Sequence, residues 1–233
     1  AVLISVIALG SATVSAATTA TKATNGTVKF ITDTDITNPV DPLDPEVPVT
    51  PVDPVDPEKP VDPGTAGPLS IDFASPLYFD EQKITTNDKN YKAVAQPLSD
   101  GTTRPNYVQI TDKRGGEQGW TLQVKQDSQF VTTNDKELIG AEISFSNGQP
   151  VTASRSAIPS ILNASFVLVP GDATAQTVMS AKVNEGAGTQ LYSAGDDTTK
   201  AESVNLFVPG STTKYADTYT TELTWTLTDV PGA

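Results

Sequence analysis

The chain has 233 residues and a formal net charge of −13, and it contains no cysteine, no histidine and a single methionine. A chain without cysteine forms neither disulfides nor thiolate metal sites. A chain without histidine lacks the commonest general base and metal ligand. The excess of acidic residues disfavours binding to nucleic-acid phosphates, which need clustered lysine and arginine. We therefore expect no nucleic-acid partner, no cofactor and no Ser-His-Asp triad.

Residues 1–16 form an apolar run that ends in small residues. Val14-Ser15-Ala16 fits the small-x-small pattern that precedes a signal-peptidase cleavage site. The alternatives are a buried helix or a membrane anchor, but the apolar part is shorter than the ~20 residues that span a bilayer. The sequence therefore predicts a cleaved signal peptide, truncated at its N-terminus, and a secreted protein.

Residues 17–38 are polar and rich in threonine. Within them, polar and apolar side chains alternate over residues 27–31, directly after the turn-forming pair Asn25-Gly26. This alternation is typical of a strand. The strand is isolated in the sequence, so either it adds to the edge of the distant folded domain or it stays mobile.

Proline occupies every third position from Pro39 to Pro63. Polyproline II has three residues per turn, and its rise of ~3.1 Å per residue would extend this stretch over roughly 75 Å. Seven carboxylates against the single Lys59 favour extension further by repulsion. We interpret residues 39–68 as a Pro/Asp-rich spacer, and the alternative is a ligand for a proline-recognising domain.

Residues 69–233 consist of short strand-like runs separated by turn residues. The candidate strands are 69–73, 77–79, 107–110, 120–124, 141–145, 164–169, 204–208 and 218–228. The turn-like stretch 112–116 predicts a hairpin between the third and fourth of these, and only residues 175–183 are a candidate helix. The predicted fold class is all-β, an antiparallel β-sandwich or barrel-like domain preceded by the extended spacer.

The only two tryptophans lie in identical Trp-Thr-Leu runs, at 120–122 and 225–227. Residues two apart on a strand share a face, so Trp120 lies beside Leu122 and Trp225 beside Leu227. A tryptophan buries about 150–250 Å², so the two rings dominate either the core or a binding surface. Both readings stay open, and we expect the two rings to lie close together.

Other candidate site residues carry weaker signals. Tyr215 and Tyr219 precede the second Trp-Thr-Leu run and either line the same site or form ordinary strand surface. Asp196-Asp197 suggests calcium only faintly, because no loop has the ligand spacing of an EF-hand. No spacing selects a pair of carboxylates for glycoside hydrolysis. We therefore expect no metal site and no enzyme activity.

These features resemble the small, single-domain WxL cell-surface proteins of low-GC Gram-positive bacteria. The matching parts are the Trp-Thr-Leu runs, the C-terminal stretch 223–231 and the domain opening at 67–73. The export signal, the Thr-rich segment and the Pro-Asp spacer match as well, so the resemblance covers essentially the whole chain.

The resemblance implies a protein that attaches non-covalently to peptidoglycan and acts with neighbouring surface proteins. Those partners are a membrane-anchored WxL-interacting protein and other WxL proteins. An alternative is an adhesin for host matrix proteins, and another is a structural subunit with no ligand of its own. The residues up to Ala233 hold no LPxTG-type sorting signal and no lipidation cysteine. We therefore expect an extracellular protein that its own folded domain retains at the cell wall.

Overall fold

The computed structural model describes residues 20–232, and their regular secondary structure is entirely β. The predicted signal peptide at 1–16 lies outside the described residues. Within the described part, no helix has the length and apolarity needed to cross a membrane.

Sixteen strands follow one another within residues 20–232. They are β1 (Val40–Asp41), β2 (Asp44–Pro48), β3 (Leu69–Ala74), β4 (Lys89–Lys92), β5 (Gln96–Pro97), β6 (Thr103–Arg104), β7 (Asn106–Asp112), β8 (Trp120–Gln126), β9 (Glu142–Phe145), β10 (Gly148–Thr152), β11 (Ile161–Leu162), β12 (Phe166–Leu168), β13 (Gln176–Ala181), β14 (Gly188–Ala194), β15 (Val204–Val208) and β16 (Leu223–Thr228).

The larger strands form three four-stranded sheets in the described residues. The first sheet has the order β10-β14-β7-β3. The second has the order β11-β13-β8-β16, and we call it the motif sheet because β8 and β16 carry the two Trp-Thr-Leu runs. The third sheet has the order β12-β9-β15-β4. Two short ribbons, β1-β2 and β5-β6, complete the architecture. Every ladder between these strands is antiparallel. The predicted all-β, antiparallel fold is therefore confirmed, and the arrangement is consistent with a β-sandwich.

The main hydrophobic core takes the inward faces of all three sheets. On β8 the side chains of Trp120, Leu122 and Val124 are completely buried, while those between them are partly exposed. This alternation is what the period of a half-buried strand requires. By contrast, β7 is buried along its whole length, so both faces of the first sheet are covered.

The predicted hairpin between strands at 107–110 and 120–124 is wrong. The strands exist, as β7 and β8, but β7 pairs with β14 and β3 whereas β8 pairs with β13 and β16. The connection carries the chain from the first sheet to the motif sheet. Gly115, Gly116 and Gly119 in it have positive φ angles of 84°, 110° and 77°, which favour glycine. Turn-forming residues indicate where the chain changes direction, but they do not indicate which strands pair with each other.

Two other local predictions differ from the structure, and one strand was not predicted. The candidate helix at 175–183 contains the strand β13. The alternation through Leu77 and Phe79 lies outside any strand, because β3 ends at Ala74 before Pro76. The strand β14 carried no recognisable pattern, since polar Gln190 and Ser193 are buried together with its apolar residues.

The single polyproline II helix predicted for residues 39–63 is not present. Instead β1 and β2 form a short ribbon, and Pro51 is buried in an isolated bridge to Leu98. Val40 and Val61 pack against a second apolar cluster on the outer face of the first sheet. The compact unit that holds the sheets begins at Ile31, so the Pro-rich segment is part of it.

Buried polar contacts fix this segment in place. The side-chain oxygen of the fully buried Gln109 accepts a hydrogen bond from the Val40 amide at 2.7 Å, and its Nε2 donates to the Asn38 carbonyl at 3.1 Å. The Arg104 Nε group lies 2.7 Å from both carboxylate oxygens of the buried Asp41. These partners lie more than 60 residues apart, so no local pattern predicts them.

The possible strand at 27–31 does not form within the described chain. Residues 27–31 lie in no strand, and Val28, Phe30 and Ile31 are 74%, 88% and 81% exposed. Polar and apolar residues do alternate over 27–31, but this segment pairs with no strand in the described chain.

We predict that Asp41→Ala destabilises the protein by about 1–3 kcal/mol, because it leaves the largely buried Arg104 guanidinium without its carboxylate partner. Urea denaturation measures the change, and limited proteolysis reports earlier cleavage within residues 39–52. Asp44→Ala is the matched control, since Asp44 lies exposed in the same segment. An equal loss in both variants would contradict a specific role for the Asp41 contact.

Candidate functional site

A groove of about 1550 Å³ opens on the surface of the compact unit. Most of its lining comes from residues 53–65, 71–84 and 214–225. The first stretch is the end of the Pro-rich segment, and the second is β3 with the loop that follows it. The third leads into β16, the edge strand of the motif sheet. Segments that lie far apart in sequence therefore build one concave surface.

The first Trp-Thr-Leu run lies outside this groove. Trp120 and Leu122 are both 0% exposed, and the Trp120 indole N–H donates to the Gly186 carbonyl at 2.9 Å. A Cβ atom at Gly186 would lie 2.7 Å from the Trp120 Nε1 atom, and Gly186 has a φ of +76°. The close approach therefore needs glycine, and Trp120 is a core residue.

The second Trp-Thr-Leu run has a different environment. Trp225 is only partly buried and lines the groove. One side of its indole packs edge-on against Phe145, with 6.5 Å between ring centroids and an angle of 89°. Leu227 packs against the core and is not part of the groove lining. Trp120 is thus a core residue, whereas Trp225, like Tyr219 and Leu227, packs against the core and in addition lines the groove.

The ladder between β8 and β16 relates the two runs. Trp225 lies opposite Val124, and Leu227 lies opposite Leu122. Residues directly opposite one another on antiparallel strands point to the same face. Both indoles therefore belong to one face of the motif sheet, with Trp120 and the partner of Trp225 four positions apart on β8. That offset is about 13 Å at ~3.3 Å per residue, so the two tryptophans lie on neighbouring strands without their rings forming a pair.

Tyr215 and Tyr219 line the same groove as Trp225. The Tyr219 hydroxyl accepts a hydrogen bond from the Tyr215 amide at 2.9 Å, which fixes the loop before β16. The Tyr215 side chain is 48% exposed, and the Lys136 ammonium lies 5.7 Å from its ring centroid. The structure therefore brings together three of the six predicted residues and places Trp120, Leu122 and Leu227 in or against the core.

Sequence reasoning missed the opposite wall of the groove. Leu77, Tyr78 and Tyr91 line it, and the loop that carries the first two is anchored by buried Phe79 packing edge-on against Phe130. The alternation at 77–79 was a usable signal for partial burial, but it suggested a strand. No sequence pattern pointed to Tyr91 as a site residue, because its position beside the groove results from the pairing of β4 with β15 in the third sheet.

The groove is acidic. Seven of its lining residues are carboxylic acids and three are lysines: Asp53, Asp62, Asp72, Asp80, Glu81, Asp217 and Glu222 against Lys59, Lys83 and Lys214. The negative charge also affects Tyr78 at the rim of the groove. Partial burial and then the charges of Asp80 and Glu81 raise the pKa of the Tyr78 phenol. Aromatic faces with carboxylate acceptors suit a neutral or cationic ligand and disfavour an anionic one.

One of these carboxylates has a structural role. Asp72 is buried, and its oxygens accept hydrogen bonds from Ser70, Gln109 and Thr111 at 2.8, 2.9 and 2.6 Å. Burial raises its pKa despite these contacts. Asp72 shares the outer face of the first sheet with Ser70, and the register shift between Ile71 and Phe73 brings Phe73 to that face as well. Because its oxygens are already engaged, Asp72 supports the wall of the groove and is not a ligand contact.

The pair Asp196-Asp197 stabilises a turn. One carboxylate oxygen of Asp196 accepts hydrogen bonds from the amides and hydroxyls of Thr198 and Thr199. Asp197 pairs with Lys200 at 2.7 Å. Among the described residues no cluster has the composition of a metal site.

A comparison with protein families gives one result. A family model described as WxL domain surface cell wall-binding matches residues 17–231, nearly the whole chain. The matched span includes the Pro-rich segment and both Trp-Thr-Leu runs. No curated protein and no solved structure matches the chain.

We predict that Trp120→Ala lowers the free energy of unfolding by about 3–5 kcal/mol, the usual cost of removing a fully buried large aromatic side chain. Trp225→Ala costs less, because its ring is already partly solvated. Urea denaturation followed by circular dichroism measures both without relying on the lost indole. Equal losses would contradict the assignment of one ring to the core and the other to the groove.

A second prediction concerns acid stability. Hydrogen bonds from the Thr198 and Thr199 side chains, then from their amides, lower the pKa of Asp196 from 3.8 to about 2. The charged carboxylate therefore stabilises the folded state above pH 3.8, and this contribution is lost as the pH falls through about 2. Asp196→Asn keeps an acceptor oxygen but has no charge. The stability gap between wild type and this variant should be present at neutral pH and close in acid; a constant gap from neutral pH to pH 2 would contradict it.

Proposed function

The chain belongs to the WxL family, whose domain is a surface cell-wall-binding domain, and we propose that it attaches non-covalently to peptidoglycan through the groove beside β16. In this proposal the protein is exported and held at the wall by its own folded domain. Tyr215, Tyr219 and Trp225 form the contact surface. Trp120 and Leu122 hold the strand on which that surface is built.

The observation that supports the groove as the site is the position of Trp225. It is the only one of the two tryptophans with solvent access, and it shares its concave surface with Tyr215 and Tyr219. Binding sites in proteins are usually concave, rich in aromatic residues and supplied with a few polar groups. Sugar rings present apolar C–H faces and extended peptides present apolar side chains, and both fit such a surface.

The charge of the groove favours a particular part of the wall. The six lining carboxylates other than Asp72 repel phosphate-bearing wall polymers, whereas sugar hydroxyls and the amines of stem peptides can donate hydrogen bonds to them. The proposed ligand is therefore the peptidoglycan itself. Removal of anionic polymers from isolated walls should leave binding intact.

We predict that purified protein sediments with isolated peptidoglycan and that Tyr215→Ala weakens this retention about tenfold, the effect of losing ~1.4 kcal/mol of contact energy. Tyr215 is exposed enough for the change to leave the fold intact. Ile158→Ala is the control, because Ile158 is 51% exposed and lies outside the groove lining.

Two outcomes would contradict this proposal in different ways. Retention no higher than that of an unrelated acidic protein would rule out direct attachment to the wall. Retention of both variants at the wild-type level would leave attachment intact but exclude the groove. Retention restored only by a WxL-interacting protein or another WxL protein would identify the wall contact as indirect.

The host-matrix adhesin and the subunit without a ligand remain alternative proposals. Solid-phase binding to collagen or fibronectin distinguishes the first from wall attachment. The family description concerns wall binding rather than a reaction, and the absence of enzyme activity stays a prediction.

A further inference from the structure

The first sheet and the ribbon β5-β6 hold the Pro-rich segment near both of its ends. The early part of the segment bonds to Gln109 and pairs with Arg104. At its far end, the Nε2 group of buried Gln96 donates to the Val52 carbonyl at 2.8 Å, and the Val52 amide donates to the Pro97 carbonyl at 3.1 Å. Binding domains hold extended peptides through main-chain hydrogen bonds of this kind.

The segment is structurally separate from the main core. In the described chain, its apolar side chains Val40 and Val61 pack against the smaller cluster of Phe73, Tyr107 and Leu191, and none of its residues belongs to the main cluster. The ribbon β1-β2 forms a sheet of its own among the described strands. The segment therefore contacts the rest of the chain as a distinct element, through a surface that only this element covers.

A self-contained turn follows the last of these contacts. The Lys59 ammonium lies 3.7 Å from the Asp53 carboxylate. An oxygen of Asp53 accepts hydrogen bonds from the Val55 and Asp56 amides at 2.8 and 3.2 Å, and the Lys59 amide donates to the Asp56 carbonyl at 2.9 Å. Within the described chain, the hydrogen bonds of residues 53–59 stay inside this stretch. The turn thus connects the segment to β3 without fixing where the segment lies.

The sequence of this turn favours an extended chain. Every third residue of it is proline, which favours polyproline II, an extended helix without internal hydrogen bonds. Asp53, Asp56 and Glu58 outnumber Lys59, and repulsion between like charges also extends a linker. Fully extended, residues 53–60 span at most ~26–29 Å. The compact turn keeps the segment on its own sheet, whereas an extended linker would carry it to a neighbouring copy.

We propose that two copies of this chain exchange their Pro-rich segments. The exchanged element runs from the Asp33–Lys113 ion pair to the Val52 contacts, and in each copy it occupies the outer face of the first sheet of the other. The contacts that hold the segment are the same in both forms, and the linker changes from a turn to an extended chain. Exchange of an identical element is a low-cost route to a dimer. This association goes beyond wall attachment and needs no wall ligand.

Reversal of the charges in the Arg104–Asp41 pair tests the exchange. Asp41→Arg and Arg104→Asp each place two like charges where the ion pair lies, so each variant alone should be monomeric and cleaved early within residues 39–52. In a mixture, opposite charges meet only between copies. The mixture should therefore sediment as a dimer and regain protease resistance, whereas monomers only would overturn the proposal. The chain with both changes is the control, since its pair is restored within one copy.

A second variant leaves the recognition surface unchanged. Lys59→Glu removes the ion pair of the turn and adds a like charge, so self-association measured by sedimentation velocity should become about fivefold tighter. Lys89→Glu is the matched control, because Lys89 is exposed on β4 and outside the segment. Association that Lys59→Glu leaves unchanged, or that both variants raise equally, would contradict exchange through this linker. Because neither experiment contains peptidoglycan, their failure would leave the wall-binding proposal standing.

Discussion

The burial of Trp120 at the start of β8 is the constraint on which the rest of the structure depends. Its indole N–H is satisfied by the Gly186 carbonyl at 2.9 Å, so the largest side chain of the core has a single orientation. That orientation fixes which face of β8 points inward. Since β16 pairs with β8 alone among the described strands, it also fixes where Trp225 and the wall of the groove lie.

The Pro-rich segment that lines part of the groove is held by buried polar contacts as well as by apolar packing. Gln109 is buried in the first sheet and bonds to the backbone at Asn38 and Val40, while Arg104 pairs with the buried Asp41. Buried polar groups without partners are costly, so a fully paired set specifies one position for the segment that carries them. The Pro-rich segment is thereby held against the first sheet, and its continuation over residues 53–65 lines the groove.

Two identical sequence motifs have different roles because their strands have different neighbours. The strand of Trp120 lies between β13 and β16 and is covered by the main core, whereas the strand of Trp225 is an edge. An interior strand shields its apolar face completely, but an edge strand leaves one side of a large ring accessible. The first run therefore lies wholly in the core, and the second lies between the core and the groove.

The sequence by itself determined the all-β class and the positions of seven of the sixteen described strands, and it named Tyr215, Tyr219 and Trp225 among its six candidates, because alternation and turn chemistry act over a few neighbouring residues. It did not determine pairing: β7 and β8 are joined by a short connection yet belong to different sheets. It also did not reveal that a proline repeat typical of a spacer packs against a sheet. Those outcomes rest on contacts between residues far apart in the chain, and only the tertiary structure decided which tryptophan is buried and which lines the groove.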